Sequence, residues 1–70
     1  MPSGTVLNYD SAKGFGFIRP DDTTTPNVFF HRTMIQGLDT PQRGARVDYD
    51  LTQDAQGRPR AVYVLVTEEA

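Results

Sequence analysis

All four phenylalanines of this chain fall in two short segments, Lys13-Gly14-Phe15-Gly16-Phe17-Ile18 and Val28-Phe29-Phe30-His31. Lys13, Arg19, His31 and Arg32 stand close to them. Rings beside cationic groups can do one kind of chemistry without making or breaking a bond. Bases stack on the rings while phosphates are held by the charges. A core built from 70 residues would want its few large apolar groups spread over every strand. Crowding them into two segments points instead to a surface.

The residues of bond-breaking chemistry are missing. Ser3 and Ser11 are the two serines, His31 is the single histidine, and there is no cysteine, so no nucleophile-and-base constellation is evident. One histidine without cysteine cannot build a zinc site. Gly14 and Gly16 are spaced within a strand pattern with no helix after them, unlike a phosphate-cradling loop. The sequence therefore predicts no enzyme, no cofactor, no metal and no small-molecule substrate.

The formal charge is −2, from seven basic and nine acidic residues, and phosphate binders are commonly basic. The distribution softens that objection. Residues 11–20 carry two cations and no acid, and residues 27–38 carry Arg32 and His31 and no acid. The acids gather at Asp21-Asp22, Asp48-Asp50-Asp54 and Glu68-Glu69. Such segregation permits a locally positive face on an acidic protein. No apolar run approaches the roughly 18 residues of a membrane span, and no apolar signal segment opens the chain. A soluble cytoplasmic protein in a reducing compartment, with no membrane partner, is the expectation.

Five strand candidates must position these groups, at residues 4–9, 14–19, 27–31, 45–52 and 60–67, in one domain over residues 1–70. Asp10-Ser11, Pro20 and the segment 54–57 carry the turn chemistry between them. Thr33-Met34-Ile35 reads as a single helical turn, residues 36–44 as a loop, and residues 67–70 as a frayed acidic tail. Five short strands suggest a small closed barrel, because closure removes exposed sheet edges. The fifth strand is apolar on both parities, which suits a closing strand partly covered on its outer side, or a sandwich.

Alternation along the strands sets the faces. Gly14, Gly16 and Ile18 share one side of the second strand, and Phe15, Phe17 and Arg19 the other. An arginine in phase with the rings is rarely buried unpaired, and inward glycines let backbones pass closely. Both point the rings outward. In the third strand, Val28 and Phe30 inward leave Asn27, Phe29 and His31 outward. If the two strands are antiparallel neighbours, Phe15, Phe17, Phe29 and His31 form one exposed patch, which usually marks a binding surface.

These segments resemble the two ribonucleoprotein motifs of the cold-shock domain. Residues 13–18 match the first without departure, and Asn27-Val28-Phe29-Phe30-His31 closely resembles the second; the likeness covers about residues 3–66. It implies an all-β fold, a five-stranded antiparallel oligonucleotide-binding (OB) barrel, that binds single-stranded RNA or DNA on its second and third strands. By the resemblance, Phe15, Phe17, Phe29 and His31 are stacking platforms and Lys13 contacts backbone or base. Asn27 stands where an aspartate usually reads a base edge. The core carried over is Val6, Ile18, Val28, Phe30, Ile35, Val47, Tyr49, Leu51 and Val64.

The departures are informative. Leu7-Asn8-Tyr9-Asp10 replaces the usual Lys-Trp-Phe-Asn, with Tyr9 as a partial substitute for the lost tryptophan. Arg32 replaces a frequent phenylalanine and can lie flat on a base or pair with phosphate. The loop after the third strand is short and lacks its customary aromatic, with Leu38 the nearest apolar residue. Arg58 and Arg60 read as solvated turn residues, with a phosphate path as the lesser alternative. Two platforms fewer, at roughly 1–3 kcal/mol each, predict binding of micromolar strength or weaker. The expected site takes about four to six nucleotides and shows little preference beyond a pyrimidine bias. The expected role is that of a monomeric bacterial RNA chaperone. The rival reading is a protein-interaction module on the same barrel.

Overall fold

Asp10 ends the first strand by turning its side chain onto the chain that follows. Its Oδ1 accepts the N–H groups of Ala12 at 3.0 Å and Lys13 at 3.2 Å, and its carbonyl accepts from Gly14 N–H at 2.7 Å. Gly14 then takes φ +78°, a conformation that disfavours any residue with a Cβ. The same logic closes the last hairpin. Asp54 Oδ1 accepts from the N–H groups of Gln56 and Arg58, both at 2.9 Å, and Gly57 sits at φ +82°.

The computed structural model describes residues 2–22, 24–37 and 40–69. Among them run five strands, β1 (Ser3–Asp10), β2 (Phe15–Pro20), β3 (Val28–His31), β4 (Arg46–Gln53) and β5 (Pro59–Glu68), with a 3₁₀ turn at Arg32–Met34 after β3. They close into a barrel in the order β1-β2-β3-β5-β4, as the OB-type expectation requires. The β1–β2, β2–β3, β1–β4 and β4–β5 seams are antiparallel. The β3–β5 seam is parallel and sets Phe29 opposite Arg60.

The core is Val6, Ile18, Val28, Phe30, Ala45, Val47, Tyr49, Ala61 and Val64. Phe30 fills its centre, and the adjoining strand must carry glycine to admit it. A Cβ on Gly16 would stand 2.9 Å from Phe30 Cζ and 2.3 Å from the Asn8 carbonyl oxygen. The inward glycine of the motif is thus a packing requirement.

Several expectations need correction. Leu51 is not core; it is 47% exposed. β1 pairs with β4 only over Ser3–Thr5 and Arg46–Asp48, so Leu51 lies beyond the end of that seam while Tyr49 is still buried. Ile35 is half-buried and packs against the core from outside it. The outer side of β5 is covered only in part, as expected of a closing strand, with Tyr63 half-buried and Val62 and Leu65 39% and 40% exposed. Its two-parity pattern comes from a bulge. Asp50 faces Tyr63 and Leu51 faces Ala61, leaving Val62 as the extra residue and drawing Ala61 and Val64, from opposite parities, into the core. The strand also runs on through Glu68, opposite Arg46, taking in two residues expected to fray.

Three carboxylates are held charged by local partners. The Arg46 guanidinium donates to both Asp21 oxygens, at 2.7 and 2.6 Å, and keeps that carboxyl below the usual range. The Thr24 hydroxyl and backbone N–H lower Asp22, and the Arg58 backbone N–H is the largest influence lowering Asp54. A carboxyl depressed in the fold contributes stability that is complete above its unfolded value, about 4. That stability is lost as pH falls through the folded value. Thermal melts are therefore expected to be level between about pH 8 and 5 with respect to these groups. Their midpoints should fall progressively below about pH 4.

Candidate nucleic-acid interface

Register brings the expected rings together. Phe15 faces His31 and Phe17 faces Phe29 across the β2–β3 seam, while Gly16 and Ile18 turn inward against Phe30 and Val28. The Phe15 and Phe29 centroids are 5.6 Å apart with planes tilted by 35°. Those of Phe17 and Phe29 are 5.9 Å apart and nearly perpendicular, at 73°. Phe29 is therefore the hub of one continuous aromatic face. Phe17, at 37% exposure, is the most open of the three rings, and Phe15, Phe29 and His31 are half-buried.

His31 is fixed from its far side. Its Nδ1 accepts the Thr33 backbone N–H at 3.2 Å and lies 3.0 Å from the Thr33 hydroxyl. Because the backbone N–H can only donate, the neutral ring carries its proton on Nε2. The imidazole thereby caps the 3₁₀ turn. The cap holds the ring at a set angle, so little freedom remains to be lost when a base stacks on it.

Cations flank the face at both ends. Lys13 is exposed in the β1–β2 turn. Arg32 leads the 3₁₀ turn, its N–H donating to the Gly14 carbonyl at 2.8 Å. Its stem crosses over Gly14, where Arg32 Cδ would lie 3.1 Å from an added Cβ. The β1–β2 turn and the start of the 3₁₀ turn thus form one cationic corner beside Phe15 and His31. At the other end a groove of about 520 Å3 is lined by Phe17, Asn27, Phe29, Arg58 and Arg60, with Asp54 and Pro59. Asn27 is exposed immediately before β3, where it can reach a ligand edge.

Tyr9 does not join the face. A bulge at Leu7 sets Val6 opposite Ile18 but Asn8 opposite Phe17. The extra residue reverses the alternation. Asn8 turns outward beside Phe17, and Tyr9 turns inward opposite Gly16, stacked on Phe30 at 5.8 Å with planes 9° apart. Sequence reasoning missed Asn8 for this reason. It also undervalued Arg60, which reaches Phe29 only through the β3–β5 seam; the Arg58-Pro59-Arg60 cluster was its one visible signal. Leu38 lies outside the described residues.

Residues 2–67 match the family model of the "'Cold-shock' DNA-binding domain". The chain belongs to the cold-shock domain family. Its relatives include the cold shock-like protein of Aquifex aeolicus, 44% identical over 68 residues and covering 94% of each chain. Another is the cold shock protein CspA of Rhizobium meliloti, 45% identical over 56 residues, 77% of this chain and 80% of the relative. Among solved structures, drosophila Unr CSD456 superposes with a TM-score of 0.74 over 93% of this chain, at 23% identity, which shows the shared fold. This chain spans 26% of that one. Membership places the domain in a family of nucleic-acid binders. Among the described residues no helix is long and apolar enough to cross a membrane.

Proposed function

We propose that this cold-shock domain binds single-stranded RNA or DNA by stacking bases on Phe15, Phe17, Phe29 and His31. Lys13, Arg32 and Asn27 contact backbone or base edges, and Tyr9 supports the face from beneath rather than stacking on the ligand. The observation that carries this reading is the single ring surface on β2 and β3, hubbed on Phe29 and flanked by cations, which the core does not need. Binding to unpaired strands competes with base pairing. A passive RNA-chaperone role without ATP follows from that competition; we take it to be exercised by a monomer in the cytoplasm.

The test is fluorescence anisotropy of labelled hexathymidine and hexauridine at two salt concentrations. Micromolar binding is expected. With about three phosphates neutralised, single-strand counterion release weakens it about tenfold to twentyfold between 50 and 200 mM salt. Salt-insensitive binding of a protein partner, with no oligonucleotide bound, would favour the interaction-module reading.

Asp10 gives a finer check. It lies opposite Phe15 at the edge of the ring face, and its Oδ1 holds the turn. Asn supplies the same acceptor without the charge. Asp10→Asn is therefore expected to leave the melt unchanged and tighten hexathymidine about twofold to threefold at low salt, an increment that vanishes at high salt.

A further inference from the structure

The groove at the β3–β5 seam contains a cation that the fold does not use. Its other arginine, Arg58, is compensated, with Nε 3.1 Å from Asp54 Oδ2. Arg60 makes no ion pair among the described residues. It is half-buried, and its Nε is shut off from solvent with no hydrogen-bond partner. An orphaned N–H of this kind calls for an explanation, because native folds rarely leave one. Arg60 also stands opposite Phe29 across the parallel seam, so the donor borders the hub of the ring face.

A ligand that satisfies Arg60 must bring acceptors to the edge of the guanidinium while a flat body occupies the space against the rings. Guanine does both. Its O6 and N7 lie side by side on one edge and accept two parallel N–H groups from an arginine. Adenine sets an amino donor beside N7, and thymine or uracil separates its carbonyls by an N–H; an unpaired cytosine does set N3 beside O2, but on a single ring, so it is the competitor the titration must include. Phosphate would also pair with the fork. However, a groove walled by Phe17, Phe29 and Pro59 suits a flat heterocycle better than a strongly hydrated anion.

We propose that this groove is a guanine-reading subsite, in which a base stacked on Phe29 or Phe17 accepts two hydrogen bonds from Arg60 while Asn27 closes the open side. Because Nε is closed off from solvent in the free protein, binding requires the Arg60 side chain to turn so that Nε–H and one Nη–H face the groove together. The proposal rests on the reading of the ring face as a base-stacking surface. It departs from an overall pyrimidine bias at this one position.

The experiment titrates labelled hexathymidine, and hexamers with a single G, A or C at each position in turn, against the unaltered protein, Arg60→Gln and Arg60→Lys. Circular dichroism melts establish that the variants fold. One position is expected at which G binds about fivefold to twentyfold more tightly than A or C. Both variants should erase that preference, since Lys keeps the charge but not the two parallel donors. Hexathymidine binding without a G preference anywhere would overturn the subsite and leave the stacking face standing. An equal loss for every hexamer in Arg60→Gln, largely spared in Arg60→Lys, would make Arg60 a phosphate contact and also overturn it. No binding of any hexamer would remove the stacking reading and the subsite together.

Discussion

Phe15→Ala combined with Phe29→Ala is expected to weaken hexathymidine binding by about thirtyfold or more while the barrel stays folded. Each ring lost as a stacking platform costs roughly 1–3 kcal/mol per base, and Phe29 is the hub that also orders Phe15 and Phe17. The cost to the fold is smaller, because the two side chains are half-buried on the outer face and neither belongs to the core cluster. Losing their mutual contact and part of their burial removes about 1–2 kcal/mol. For a domain of this size that lowers the melting midpoint by about 5–15 °C. Anisotropy titration and a thermal melt on the same sample separate the two effects. A double variant that is unfolded at 25 °C would show that these rings belong to the core.

The neighbouring residue should behave in the opposite way. Phe30→Ala is expected to lower the melting midpoint by about 20 °C or more, and to reduce binding only as far as it depletes the folded state. Phe30 is completely buried, with Tyr9 stacked on it and Gly16 cleared to admit it. Emptying such a site costs about 3–5 kcal/mol. A chain of 70 residues has about 3.5–10 kcal/mol in total, so much of the stability goes with one side chain. Denaturant unfolding checks this through the midpoint. A Phe30→Ala protein within a few degrees of the original would overturn the inside–outside assignment of β3. Two adjacent phenylalanines thus separate recognition from folding, one by affinity and the other by stability.

That contrast was legible from the residues alone. A strand repeats every two residues, so glycine and isoleucine in one phase and phenylalanine and arginine in the other allow few arrangements. The structure bears it out at Gly16, Ile18, Phe15 and Phe17, and again at Val28, Phe30, Phe29 and His31. The strand borders were found to within about a residue, because Asp10, Gly14, Pro20, Asp54 and Gly57 act through their own backbone and near neighbours. Val6, Val47, Tyr49 and Val64, which the family resemblance carries into the core, are buried there.

What failed to show depends on residues distant in the chain. A bulge is settled by how one strand fits its partner, and a single inserted residue reverses every face beyond it. The one at Leu7 moved Tyr9 beneath the face and Asn8 onto it; the one at Val62 drew Ala61 inward. Leu51 kept its alternation, yet it lies beyond the end of the β1–β4 seam and is left exposed. Arg60 meets Phe29 only where β3 and β5 run parallel to close the barrel. Alternation, with Arg19 and the glycines in opposite phases, by itself determined which rings of β2 and β3 face outward. Closure of the barrel alone decided what stands beside them, because that depends on which strands meet and in what register.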